Sequence, residues 1–158
     1  MGRELVIAWV GRHRRDDWEA LCARYRKRIE PLREVRDLPV RSTAKGPDRV
    51  RQQAEGEALL AAVPEPSWTI ALDRRGKALA SHQLARRLSK LHREWPHAIS
   101  FLVGSDLGLS DEVLSASRER LSFGPVTLPH ELARLVLYEQ LYRALSIVAG
   151  IKYHREPL

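Results

Sequence analysis

Three short runs in this chain are apolar at almost every position. Residues 5–10 read Leu-Val-Ile-Ala-Trp-Val, residues 68–72 read Trp-Thr-Ile-Ala-Leu, and residues 97–103 close on Ile-Ser-Phe-Leu-Val. A strand with one wet face alternates apolar and polar side chains, whereas a strand covered on both faces does not. Segments of helical periodicity separate the runs. The pattern predicts an α/β fold, a mostly parallel sheet flanked by helices on both sides.

The intervening segments fit that frame. Asp16 or Asp17 can cap a first helix whose inner face carries Trp18, Leu21, Cys22, Tyr25 and Ile29. Cys22 lies on that inner face, which predicts a core thiol rather than a nucleophile. Residues 33–41 alternate weakly, as a strand near a sheet edge does. A second helix is expected over 48–62, stopped by Pro64 and Pro66. Asp73 to Lys77 reads as a turn ending the second apolar run. Ser81 is the expected N-cap of a helix with Leu84, Leu88, Leu91 and Trp95 inside and Arg86, Arg87, Lys90 and Arg93 outside. Ser110 is expected to cap a short helix, with Asp111 and Glu112 at its positive end. Residues 121–128 form an apolar run broken at Gly124-Pro125. A last helix spans about 131–149, with Gly150 as its stop.

That last helix is apolar almost all round, through Leu132, Leu135, Val136, Leu137, Tyr138, Leu141, Tyr142, Leu145, Ile147 and Val148. A helix lying on a sheet needs only one apolar stripe. This one asks for cover on two sides, so a homodimer through 131–149 is expected, arranged about a two-fold axis.

Composition limits the function classes. The chain has 158 residues, the size of a single domain, and no visible repeat or linker divides 1–158. One cysteine excludes an internal disulfide framework. No run approaches the ~18–20 apolar residues of a membrane span, and residues 1–5 lead straight into a strand, without the long apolar stretch of a signal peptide. A cytoplasmic protein with no membrane partner is expected. The net charge of +7 is uneven. Residues 1–100 hold 21 Lys and Arg against 13 Asp and Glu, and residues 101–158 hold 6 against 7. An excess of that size suits a polyanion such as nucleic acid, and equally a solvated arginine-rich surface.

Gly104-Ser105-Asp106-Leu107-Gly108 lies between a strand and a helix. It is neither G-x-G-x-x-G nor a P-loop, yet glycines at the carboxyl end of a strand let a ligand approach the backbone closely. None of His13, His82, His92, His97, His130 and His154 has zinc-ligand spacing to another ligand, so no metal is expected. No G-x-S-x-G elbow is present. His130 stands where Thr127-Leu128-Pro129 meets the last helix, and His154 stands in a cationic tail.

Taken in order, several motifs resemble one family. They are Val103-Gly104-Ser105-Asp106-Leu107-Gly108-Leu109, Leu121-Ser122-Phe123, Thr127-Leu128-Pro129-His130, Glu139-Gln140-Leu141-Tyr142-Arg143-Ala144 and Tyr153-His154-Arg155-Glu156. Leu72-Asp73, Gly76-Lys77 and Glu55-Gly56-Glu57 extend the likeness over nearly the whole chain. The chain resembles the RlmH family of the SPOUT superfamily, the pseudouridine N3-methyltransferases of 23S ribosomal RNA.

The resemblance implies a single SPOUT domain whose C-terminal part threads a deep trefoil knot, a rare exception to unknotted chains. It implies S-adenosylmethionine as cofactor, held at Leu72, Gly104, Phe123, Gly124, Pro125, Val126, Thr127 and Leu128. It implies a substrate, pseudouridine 1915 in helix 69 of 23S rRNA on the assembled ribosome. His130 and His154 are the candidate bases, with Tyr153 and Arg155 as orienting or charge-stabilising groups; a cationic neighbour lowering the N3 pKa is the other route. Arg134 and Arg143 are candidates for the site or the dimer interface, with simple pairing to a Glu the plainer expectation for Arg143. Two departures stand out: Ser105 replaces the family's second glycine, and Leu107 replaces a residue that is often polar. They keep two alternatives open, a cofactor-dead RNA-binding or ribosome-assembly protein, and a knotted methyltransferase for another RNA base.

Overall fold

Along the first strand, β1 (Leu5–Val10), side-chain parity divides the core into two layers. Leu5, Ile7 and Trp9 join one apolar cluster and Val6 and Ala8 the other. Both faces are covered, which is why the run has no polar positions. The computed structural model describes residues 3–153. The elements that follow are α1 (Asp17–Ile29), β2 (Val35–Val40), α2 (Asp48–Ala62), β3 (Ser67–Ala78), α3 (Ser81–Glu94), β4 (Ala98–Val103), α4 (Asp111–Ala116), β5 (Glu119–Ser122) and α5 (His130–Ala149).

The five strands are ordered β2-β1-β4-β3-β5, and every neighbouring pair is parallel. α1, α3 and α5 cover one face, with α5 between the other two, and α2 and α4 cover the other. β2 is an edge strand and carries Pro39, which a central strand would not tolerate. Gly56 marks the α2–α4 contact, since a Cβ there would lie 2.5 Å from the Ser110 hydroxyl.

Two local expectations are corrected. The cap of α3 is Ala80 rather than Ser81: the Gln83 side chain reaches back 2.8 Å to the Ala80 N–H. The Ser81 hydroxyl donates instead to Gln140 of α5, at 2.6 Å. The expected turn at 73–77 does not end the strand. β3 bulges over these residues and then resumes, so that both Leu72 and Lys77 pair with Leu121 of β5. Gly76 permits this return, because a Cβ there would lie 2.7 Å from the Arg120 backbone. Asp16 caps α1 by accepting from the Glu19 N–H at 2.9 Å, and Gly150 ends α5 with φ 74°. α5 starts one residue earlier than expected, at His130.

A polar cluster pins α5 at the carboxyl edge of the sheet. Asp37 of β2 accepts from Trp9 Nε1 at 2.9 Å, His13 Nε2 at 2.8 Å, Arg134 Nη2 at 2.8 Å and the Tyr138 hydroxyl. Arg134 also donates to Glu19 of α1 at 3.0 Å, and its guanidinium lies 3.9 Å from the centre of the Trp9 ring. The Asp37 side chain is 4% exposed and that of Arg134 is 6%. Burial opposes the Arg134 charge, but Asp37 outweighs it and holds the guanidinium above its ordinary range. Burial, then the Asp37 charge, pushes the Tyr138 phenol well up, so it remains a donor.

Removing one partner of a buried pair strands the other charge, at about 3–5 kcal/mol. Asp37→Ala is therefore expected to lower unfolding stability by about that amount in urea titration. Tyr138→Phe is expected to lower it by about 1.5–3 kcal/mol, the value of a hydrogen bond to a charged group. A loss below about 1 kcal/mol for Asp37→Ala would mean that apolar packing alone holds α5.

Cys22 is fully buried, and burial, only partly offset by Arg134, raises its pKa from 9.0 to about 11. The folded chain then holds the thiol proton more tightly than the unfolded chain. The associated stability is complete below pH 9 and is lost as pH rises toward 11. Iodoacetamide is expected to leave Cys22 unmodified in the native protein near neutral pH and to modify it after unfolding. Fast native alkylation would contradict the core assignment.

Candidate functional site

Three loops meet at the carboxyl ends of the last three sheet positions. They are the β3 bulge, the loop after β4 (104–109) and the loop after β5 (123–129). With the first turn of α5 they enclose a cleft of about 720 Å³, a size suited to a small-molecule ligand. Ligands of parallel α/β sheets bind at this edge because loops diverge there.

Gly104 opens the second loop. A Cβ on it would lie 2.8 Å from the Gly108 carbonyl carbon and 3.0 Å from the Leu109 nitrogen. The loop folds back on itself through a Ser105–Gly108 bridge, and Gly108 takes φ 75°. No non-glycine residue among those described has positive φ, so Ser105 is unstrained in the glycine's place. Its hydroxyl donates to Glu55 of α2 at 2.6 Å and accepts from the Leu107 N–H at 3.2 Å. Gln52, one turn earlier on α2, donates to the Leu107 carbonyl at 2.6 Å. In the third loop the Ser122 hydroxyl accepts from the Gly124 N–H at 3.0 Å and donates to the Arg74 carbonyl at 2.9 Å, joining loop to bulge.

Of the expected cofactor positions, Leu72, Gly104, Phe123, Gly124, Val126, Thr127 and Leu128 line the cleft. Pro125 belongs to the same loop but is exposed and does not line it. His130 lines the cleft, and its Nδ1 meets the Asp106 carboxylate out of line for a hydrogen bond. Tyr153 lies elsewhere: its hydroxyl donates to Glu139 at 3.2 Å, and its ring packs 4.6 Å from that of Tyr142. Glu139 is nine residues beyond His130 on α5, about 13 Å along the axis at 1.5 Å per residue. Burial, then Tyr25 and Glu139, raises the Tyr153 pKa. One protomer thus does not bring His130 and Tyr153 together. His154 and Arg155 fall outside the described residues. Arg143 pairs with Glu139 at 2.9 Å, the structural role expected of it.

Polar groups of the cleft that were not anticipated are Asp73, Arg74 and Asp106. Asp73 Oδ2 is buried without a hydrogen-bond partner and lies 3.4 Å from Arg75 Nε. Arg74 donates to Thr127 at 3.3 Å. Glu55 is legible in the sequence only through the family likeness of Glu55-Gly56-Glu57, and Gln52 carries no signal of its own. Among the described residues, no three His, Cys, Asp or Glu side chains converge as a metal site would require, and no helix is long and apolar enough to cross a membrane.

The family model described as "Predicted SPOUT methyltransferase" matches residues 4–154. The chain belongs to the SPOUT methyltransferase family. Relatives include proteins named ribosomal RNA large subunit methyltransferase H. That of Solidesulfovibrio magneticus is 40% identical over 96% of this chain and 99% of the relative. That of Maridesulfovibrio salexigens is 36% identical over 96% and 97%. A probable methylase family protein from Haemophilus influenzae superposes with a TM-score of 0.55 over 99% of this chain and 72% of that one, at 14% identity, a likeness of fold. For a SPOUT methyltransferase the demand on the site is a place for a methyl donor, and the cleft lies at the carboxyl edge where such a sheet takes its ligands.

Gly104→Ala in this methyltransferase is expected to force the 104–109 loop apart, destabilising the fold by about 1–3 kcal/mol as an overpacked site does. Hydrogen exchange of the loop amides should accelerate in the variant. Unchanged exchange and stability would show that the loop yields freely.

Proposed function

We propose that this SPOUT methyltransferase uses S-adenosylmethionine to methylate N3 of pseudouridine 1915 in helix 69 of 23S rRNA. The reaction takes place on the assembled ribosome in the cytoplasm, and the enzyme acts as a homodimer. The observation that carries the reading is the cleft, with its backbone-rich walls and a glycine where a side chain would collide.

The residues present fit that cofactor. Gly104 leaves the backbone open to close approach, Leu72, Phe123 and Leu128 offer apolar surface, and Asp73 and Asp106 line the wall with carboxylates. Bound there, S-adenosylmethionine supplies a methyl group already activated by its sulfonium. What the protein contributes is alignment and removal of the N3 proton. Fixing two reactants in line is worth roughly 7–11 kcal/mol in favourable cases. A placed base adds about 10²–10⁴-fold. His130 is the base candidate on the cleft wall and His154 the candidate in the tail, with Tyr153 and Arg155 as orienting groups. A C-terminal trefoil knot is part of the proposal, supported by the family and by the three loops that converge beneath the start of α5.

Two features of α5 support the dimer. Leu132, Leu135 and Val136 are only half-buried, and Val148 is 53% exposed. Tyr153 is far from its own His130, so a second copy would supply the tail to the first copy's cleft.

The test uses ribosomes that lack the modification, incubated with the protein and methyl-labelled S-adenosylmethionine. Label is expected at N3 of the helix 69 pseudouridine and nowhere else. His130→Ala is expected to lower turnover by about 10²–10⁴-fold if His130 is the base. Label at another nucleotide, or none with the wild-type protein, overturns the reading.

A further inference from the structure

We infer that α3 and the start of β5 form a second contact surface for RNA, one that grips phosphodiester backbone away from the cleft. The inference rests on the reading that the chain acts on RNA. Its centre is Arg118. The guanidinium lies 4.7 Å from the ring centre of Trp68 and 4.9 Å from that of Trp95, and the two indoles meet edge to face at 5.6 Å. The neighbouring acid does not neutralise it. Glu119 is occupied by Arg87 at 2.8 and 2.9 Å and by Trp68 Nε1 at 2.5 Å. Arg118 is exposed, and no carboxylate lies within 4 Å of it among the described residues.

A cation held against two rings is in place before any ligand arrives. It gives up little side-chain entropy on binding, unlike a free surface arginine. On α3, whose last turn leads to Trp95, His82, Arg86, Lys90 and Arg93 recur at helical spacing; all four are exposed, and none makes an ion pair among the described residues. Glu94, at the end of α3, is the remaining acid nearby. A row of this kind sets up a positive field that attracts a polyanion.

The position favours RNA over an acidic protein. β3 carries Leu72 to the cleft and Trp68 to the aromatic pair, so the two sites are four residues apart on one strand, about 13 Å at 3.3 Å per residue. An RNA segment with one nucleotide at the cleft repeats its charge every few ångströms as it continues along the protein.

The test is anisotropy of a fluorescein-labelled hairpin RNA of about 20 nucleotides, titrated between about 50 and 200 mM salt. The variant is Arg86→Gln/Lys90→Gln/Arg118→Gln. It is expected to lower the slope of log K against log salt by about 2.7, and affinity at low salt by about tenfold or more. S-adenosylmethionine affinity should not change, and the variant should still unfold in one cooperative transition, its thermal midpoint lowered only by the two lost cation–π contacts. Arg118→Lys alone keeps the charge and loses the guanidinium's contact with both rings, and is expected to leave the wild-type slope unchanged while lowering affinity. Wild-type protein that binds the hairpin while the triple variant shows the same slope overturns this inference alone. Wild-type protein that shows no salt-dependent binding to the hairpin also overturns this inference alone, since the proposed function is read from methylation of assembled ribosomes. Equal binding of polyglutamate, lost in the same variant, would transfer the surface to an acidic protein partner.

Discussion

A single carboxylate on an edge strand decides where α5 lies. Asp37 gathers donors from β1, from the loop after it and from two points on α5, while Glu19 of α1 completes the pairing of Arg134. Leu137, Leu141 and Leu145 give α5 its adhesion, each worth roughly 1.5–3 kcal/mol when buried. Apolar contact is non-directional and would tolerate a slide along the helix axis. Hydrogen bonds to a buried charge do not. Arg134 lies one turn beyond His130, so the cluster that fixes the first also fixes the second against the cleft. Further along, Gln140 takes the Ser81 hydroxyl and sets the distance to α3.

Much of this architecture is legible in the sequence because it follows from local rules. Strands apolar at all positions require cover on both faces, and the parity of β1 shows that cover. The bounds of α2 coincide with those expected, since Pro64 and Pro66 end any helix. Gly150 stops α5 in the left-handed conformation a glycine allows. What local rules miss are contacts distant along the chain. Asp37 lies in a weakly alternating segment that carries no sign of its four partners. Ser81 has the chemistry of a cap, but a hydroxyl also bonds across helices, and Gln140 competes successfully for it. The β3 bulge is hidden for a similar reason: Asp73 to Lys77 has turn composition, and only the presence of β5 beyond it makes the strand resume.

The cleft shows how a departure from a family's pattern can be absorbed. A second glycine beside Gly104 would leave the loop freer, whereas Ser105 adopts negative φ and ties the loop to Glu55. The conformational freedom lost is replaced by a directional tether, with Gln52 providing a second one at Leu107. Gly104 and Gly108 keep the positions where a Cβ would collide or where φ is positive. The change therefore alters how the loop is held and leaves the close approach of backbone intact, which weighs against a fold kept only for binding.

The uneven charge of the chain acquires a structural meaning once the elements are placed. Residues 101–158, with 6 Lys and Arg against 7 Asp and Glu, supply the loop after β4, β5 and α5. That segment walls most of the cleft, and the β3 bulge adds Asp73 and Arg74, of opposite charge. The basic excess lies in the first two thirds, which includes α3. In the proposed function, attraction to RNA would be largely separated from the chemistry: charge outside the cleft would raise the encounter rate. The outer side of α5, with Leu132, Leu135 and Val136 half-buried, is neither basic nor fully covered. A dimer closed over it would bury apolar surface without hiding α3, so proposed assembly and proposed RNA contact would use different faces of the same small domain.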